Sequence, residues 1–193
     1  MHPGKALPKK FYERDPGAVA QELLGKRLIR RLGKHFLEGV IVETEAYYGL
    51  DDPASRAYQG MKNYNKLMWK EPGRVFIYNV HKYWMLNIVA HPLDRIGAVL
   101  LRAIEPRAGI EVMKKIRPVK NVVNLANGPG KLTMALRIDK SINGIPITSR
   151  ESKLIVVDNR MKPEIGSSHR IGVRRDLDRN LRFFIKGNNF VSR

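Results

Sequence analysis

The run Ile41-Val42-Glu43-Thr44-Glu45-Ala46-Tyr47 sets two carboxylates and a phenol at alternate positions. Strand side chains alternate between faces, so Ile41, Glu43, Glu45 and Tyr47 are expected on one face, about 6.6 Å apart per step. Carboxylates grouped in this way are the residues of general acid–base work on water. The same alternation also suits an edge strand with one solvated face, and periodicity does not separate the two readings. Tyr78, Asn87 and Arg102 interrupt apolar runs, beside Phe76-Ile77, Met85-Leu86 and Leu100-Leu101. A polar group buried in such a run needs a partner. Tyr78 therefore reads either as a core aromatic with its hydroxyl satisfied or as part of a site. For Asn87 and Arg102 the structural alternative is an ion pair or hydrogen bond, with Glu43 as one candidate partner.

The elements that must position these residues are punctuated clearly. A first helix has Asp15 as N-cap, Pro16 at its first position, an apolar stripe of Val19, Leu23 and Leu24, and Gly25 to close it. Residues 28–31 and 39–47 read as strands, and residues 51–72 as a polar loop. Residues 75–80 and 83–90 form a hairpin whose tip is only His81-Lys82. Residues 98–104, 153–157 and 181–186 supply further strands, and helices are expected over 110–116 and 132–137. Strands adjacent in sequence with helices outside the run predict an α+β fold: one domain over residues 1–193, with a curved, mostly antiparallel sheet, peripheral helices and a protruding β-hairpin. Residues 1–10 are expected to form a flexible basic segment.

Charge narrows the partner. The 193 residues carry 36 Lys+Arg against 18 Asp+Glu, a formal charge of +18. A balance of this size suits nucleic acid, an anionic membrane surface or the ribosome. No acid lies between Val112 and Ile138, and the positives are spread over loops and short elements rather than along one amphipathic helix. That spread favours a surface that follows phosphates over a membrane-lying helix. The absence of Cys excludes disulfide scaffolds, thiolate metal sites and thiol nucleophiles. The five His show no paired metal-ligand spacing, so no metal is expected. The longest apolar stretch, near Ile96–Leu101, falls far short of the ~20 residues of a membrane span. The first ten residues lack the apolar stretch of a signal peptide, so a cytoplasmic protein is expected. Gly128-Pro129-Gly130-Lys131 is not a Walker phosphate loop, because that pattern needs Gly where Leu125 stands and Ser or Thr where Leu132 stands.

Taken together, the residues from Phe11 onward resemble the alkyladenine (3-methyladenine) DNA glycosylase family. The resemblance is carried by Val42-Glu43-Thr44-Glu45-Ala46-Tyr47, Asp51-Asp52-Pro53-Ala54-Ser55, Tyr78, Asn87, Leu100-Leu101-Arg102-Ala103, Glu105-Pro106, Asn127-Gly128-Pro129-Gly130-Lys131-Leu132, Arg170-Ile171-Gly172 and Leu181-Arg182-Phe183. It implies a monofunctional glycosylase, without lyase activity or cofactor. Such an enzyme rotates an alkylated or deaminated purine out of duplex DNA and hydrolyses its N-glycosidic bond, initiating base-excision repair. By that match Glu45 would be the general base holding the attacking water, with Arg102 beside the same water. Tyr47 and Tyr78 would stack on the base, and Asn87 would line the pocket. The residue types suit this chemistry, since a carboxylate stabilises a sugar cation while taking a proton from water, and an extruded base needs aromatic faces. A monomer is expected.

Two positions depart from the family pattern. Arg56 stands where the family usually has a base-contacting His, and Arg is no neutral acceptor at neutral pH. It is expected to shift the choice of damaged base. The hairpin tip lacks the family's wedging Tyr. His81 is then a candidate wedge between base steps, or else His81 and Lys82 touch phosphates. Gly130 and Lys131, at the start of a helix, are candidate phosphate contacts. A non-catalytic nucleic-acid-binding protein on the same scaffold is the competing reading, with an RNA-directed role behind it.

Overall fold

A computed structural model describes residues 4–192. Four helices and eight strands follow in the order α1 (Lys9–Tyr12), α2 (Pro16–Leu23), β1 (Arg27–Leu32), β2 (His35–Tyr47), β3 (Val75–Val80), β4 (Tyr83–Val89), β5 (Ala98–Ala108), α3 (Ile110–Ile116), α4 (Pro129–Ala135), β6 (Leu154–Val157), β7 (Ile165–Ser168) and β8 (Arg182–Ile185). The strands form a curled sheet in the order β3-β4-β5-β2-β1-β6, with β8 attached to β2 and β7 to β8. Every ladder is antiparallel, so the α+β expectation holds.

Helix α2 begins as its sequence dictates. The Asp15 carboxylate accepts from the Ala18 N–H at 3.1 Å, a cap worth ~1 kcal/mol. Gly25, at φ +81°, lets the chain reverse so that its N–H donates to the Ile41 carbonyl of β2 at 2.9 Å. One face of the sheet then buries the main core. Val19 and Leu23 of α2, Met113 of α3 and Leu132 and Ala135 of α4 pack there on Ile41, Ala46, Ile77, Leu86, Ile88, Val99 and Leu101. The Thr44 hydroxyl ties β2 to α2 by donating to the Ala20 carbonyl at 2.8 Å.

Several differences from the expected elements have identifiable causes. Helix α4 starts at Pro129, not at residue 132, because proline needs no helical N–H partner at the first position and Gly128 supplies the N-cap. Strand β7 carries no apolar alternation; it exists because Gly166 leaves room for Phe184 of β8, whose ring a Cβ there would meet at 2.5 Å. Of the N-terminal segment expected to be flexible, residues 1–3 lie outside the described residues. Ala6 and Leu7, by contrast, are buried, and the Leu7 N–H donates to the Val156 carbonyl at 2.9 Å. Among the described residues no helix is long and apolar enough to cross a membrane.

Candidate active site

Strand β2 is not an edge. It pairs with β1 up to Val40, with β5 along most of its length, and with β8 from Glu43 to Glu45. The solvated-edge reading of its carboxylates is thereby excluded, and Glu43 and Glu45 have no solvent exposure.

Simple alternation also fails in one place. In the β2·β5 ladder Ile41 faces Ile104, Glu43 faces Ala103 and Thr44 faces Leu101. Val42 is thus an extra residue on β2 and Arg102 an extra residue on β5: two bulges that cancel each other's register shift. Ile41, expected beside the carboxylates, instead joins the main core, while Val42 packs with Val40 and Ala103 on the other side. The same irregularity brings Arg102 against Glu43 and Glu45.

The Glu45 carboxylate is held at both oxygens. Oε1 accepts from the Ile171 N–H at 2.8 Å and pairs with Arg102 Nη1 at 3.0 Å; Oε2 accepts from the Tyr47 hydroxyl at 2.7 Å. Burial, and then the Glu45 charge, keep the Tyr47 phenol well above its ordinary range, so it stays protonated and donates. Arg102 also donates through Nε to Glu43 Oε1 at 2.8 Å, which places its structural partner where the sequence suggested. Burial opposes its charge, yet Glu45 and Glu43 together hold the guanidinium above its usual value.

Each candidate stacking ring carries a guanidinium on one face. Arg170 lies 4.5 Å from the Tyr47 ring centroid and Arg56 lies 4.7 Å from that of Tyr78. Burial raises the Tyr78 hydroxyl above the ordinary phenol value, against the lowering effect of Arg56. Asn87 is buried at the same sheet level as Glu45, both opposite Leu100. Its Nδ2 is committed to the Phe76 and Met85 carbonyls, each at 3.2 Å, not to Glu43.

None of the hydrogen bonds or ion pairs described for this cluster involves the residues expected on DNA. His81 and Lys82 are exposed at the β3–β4 turn, with His81 at φ +51°, a conformation uncommon for a side chain larger than glycine. Gly130 has a packing role of its own, since a Cβ there would meet Tyr83 Cγ at 2.9 Å. Lys131 Nζ donates to Asn127 Oδ1 at 2.9 Å. Of the surface clefts, one of about 680 Å³ is lined by Asp15, Tyr48, Asp94, Ile96 and Arg179 and touches none of the expected site residues. Another of about 420 Å³ shares Arg56 and Tyr78 with the site and adds Tyr64, Trp84 and Lys140. Among the described residues no group of three His, Asp or Glu side chains is placed to hold a metal ion.

Sequence reasoning missed the supports. Arg170, its side chain fully buried, donates to Asp52 through Nη1 and Nη2, each at 2.7 Å, to the Ala46 carbonyl at 3.0 Å, and to Asp176. Arg170 and Asp52 stand 118 positions apart, so no spacing rule links them. Arg182 and Ser192 converge on Glu43 in the same hidden way.

This constellation is a buried, oriented carboxylate with an arginine at one oxygen and aromatic rings beside it. It coincides with what comparison of the whole chain shows. Residues 10–189 match the family model described as methylpurine-DNA glycosylase (MPG), and the chain belongs to that family. A protein of Aeropyrum pernix is 42% identical over 193 residues, spanning 98% of this chain and 94% of its own. One of Clostridium perfringens strain SM101 is 43% identical over 202 residues, spanning 97% and 98%. One of Mesorhizobium japonicum is 40% identical over 179 residues, spanning 92% and 86%. Each of the three bears the name "Putative 3-methyladenine DNA glycosylase".

Proposed function

We propose that this protein is a DNA glycosylase that hydrolyses the N-glycosidic bond of a damaged purine rotated out of duplex DNA. The observation that carries the reading is the disposition of Glu45. Oε1 has both lone pairs engaged, by Ile171 and Arg102, whereas Oε2 accepts a single bond among the described residues, from Tyr47. The remaining lone pair of Oε2 is the position from which a water can be held and deprotonated. As the water oxygen bonds to the anomeric carbon, the glycosidic electron pair leaves with the base and the water proton passes to Glu45. A purine alkylated at N3 or N7, already cationic, departs as a neutral molecule without needing a second acid. Tyr47 and Tyr78 each offer the base the ring face that a guanidinium does not cover, and Asn87 offers it Oδ1. Family membership and the names of the relatives support the same reaction. The test is release of free base, leaving an abasic site, from duplexes carrying 3-methyladenine, 7-methylguanine, hypoxanthine or ethenoadenine. No release from any of them overturns the reading.

Arg56 adds a preference. A fixed positive charge against the Tyr78 ring disfavours a cationic base beside that ring relative to a neutral lesion. Arg56→His is therefore expected to raise release of 7-methylguanine relative to hypoxanthine by about tenfold, the effect of roughly 1.4 kcal/mol. An unchanged ratio in competition assays would show that Arg56 sets no preference.

His81 is the proposed wedge, held outward at the hairpin tip in a conformation that glycine would adopt with less strain. His81→Gly is expected to shift a fluorescent base analogue in duplex DNA from the extrahelical toward the stacked state. An unaltered flipping equilibrium would leave His81 only a phosphate contact.

A further inference from the structure

Glu43 is the second carboxylate of the strand and takes no part in the proposed chemistry, yet it is the more heavily bonded of the two. Oε1 accepts from Arg102 Nε at 2.8 Å, Arg182 Nε at 2.7 Å and Ser192 Oγ at 2.7 Å, while Oε2 accepts from the Ser192 N–H at 2.7 Å. With three donors on Oε1 and the Ser192 N–H on Oε2, Glu43 is the more committed of two equally buried carboxylates.

Its position instead governs Arg102. That guanidinium spans the two carboxylates, Nε on Glu43 and Nη1 on Glu45, with Nη2 reaching Ser192 Oγ at 3.3 Å. Two carboxylates and two guanidiniums, Arg102 and the partly buried Arg182, make a group of zero net charge. Removing one member leaves an uncompensated charge beside the others. We propose that Glu43 is a positioning residue that orients Arg102 and shares its charge, so that Glu45 keeps its capacity to take a proton from water. The inference rests on Glu45 being the general base. Burial works against the Glu43 charge, but Arg102, Arg182 and Ser192 outweigh it and hold the carboxyl below its ordinary range.

The groups facing Glu45 show how much of its setting depends on Arg102. From its own strand comes the neutral Tyr47, from β3 Tyr78 with Arg56 over its ring, from β5 Arg102, and from β8 Arg182, its register partner. Arg170 stacks on Tyr47 with its charge offset by Asp52 and Asp176. Glu43→Gln removes a negative charge from this set and leaves the Arg102 cation leaning on Glu45.

The experiment follows the Arg102 Nε–H resonance in protein labelled with nitrogen-15 at arginine, assigned by its loss in Arg102→Lys, beside single-turnover base release and gel-shift affinity for a lesion duplex. Glu43→Gln is expected to displace that resonance and speed its exchange with solvent, and to lower release by about tenfold while affinity stays within a few-fold. An unmoved Arg102 resonance overturns the proposal, and so does a loss of affinity as large as the loss of release, which is what a merely structural role would give. Should Glu43→Gln fail to fold, Glu43→Asp, which keeps the charge but withdraws it from Arg102 Nε, decides by the same readouts. The resonance needs no substrate, so absence of base release by the unaltered protein would count against the glycosylase reading and not be confused with failure here.

Discussion

Glu45→Gln is expected to lower base release by about 10²–10⁴-fold while lesion-duplex binding stays within a few-fold. On the proposed mechanism the size follows from the loss of the carboxylate lone pair that would take a proton from water. The retention of binding follows from the geometry around it. Oε1 faces two donors, Ile171 N–H and Arg102 Nη1, so the glutamine carbonyl belongs there. The amide nitrogen then falls at Oε2, opposite the Tyr47 hydroxyl, which can rotate from donor to acceptor. The substitution thus keeps the two Oε1 contacts and the contact with Tyr47, and single-turnover base release beside gel-shift affinity separates chemistry from binding. A release rate within tenfold of the unaltered protein would remove Glu45 from the mechanism.

Arg170→Met is expected to cost about 3–5 kcal/mol of stability, the range for removing one partner of a buried ion pair. At ~2–4 °C per kcal/mol for a chain of this size, the melting temperature falls by about 6–20 °C. The guanidinium joins Asp52, Asp176 and the Ala46 carbonyl with its side chain fully buried. Its loss strands two carboxylates and removes the cation supporting Tyr47 from one face. It also loosens the segment whose Ile171 N–H holds Glu45, so base release declines together with stability. A pH dependence accompanies this. Although burial opposes its charge, Arg170 holds the Asp176 carboxyl below its ordinary range. A depressed carboxyl contributes stability that is present above its unfolded value of about 3.9 and is lost as pH falls through the lower folded value. The gap between wild type and variant, measured by circular dichroism melts, therefore narrows below about pH 4. A fall of less than ~3 °C at pH 7 would show that the triad is dispensable.

Much of the frame was legible because its signals are local. Asp15-Pro16 at the start of α2, the two-residue His81-Lys82 turn and the run over residues 110–116 each act within a few positions, and the structure follows them. What stayed hidden depends on distant segments. Alternation placed Ile41 with the carboxylates, but the bulge at Val42 answers the one at Arg102, and a bulge is a relation between two strands. Strand β7 exists through Gly166 against Phe184, and Arg170 through an aspartate 118 positions away.

By itself the sequence determined the charge of +18 with its polyanionic partner, the α+β class, and the residue types at Glu45, Tyr47, Tyr78, Asn87 and Arg102, with a family resemblance that the comparisons show to be membership. Only the tertiary structure decided that Glu43 takes four bonds, two from arginines and two from Ser192, while Glu45 takes three, from Arg102, Ile171 and Tyr47. Both are glutamates on one strand face with no solvent exposure. Their difference lies in donors delivered by β5, β8, the Ile171 segment and Ser192, which meet β2 only when the sheet closes around it.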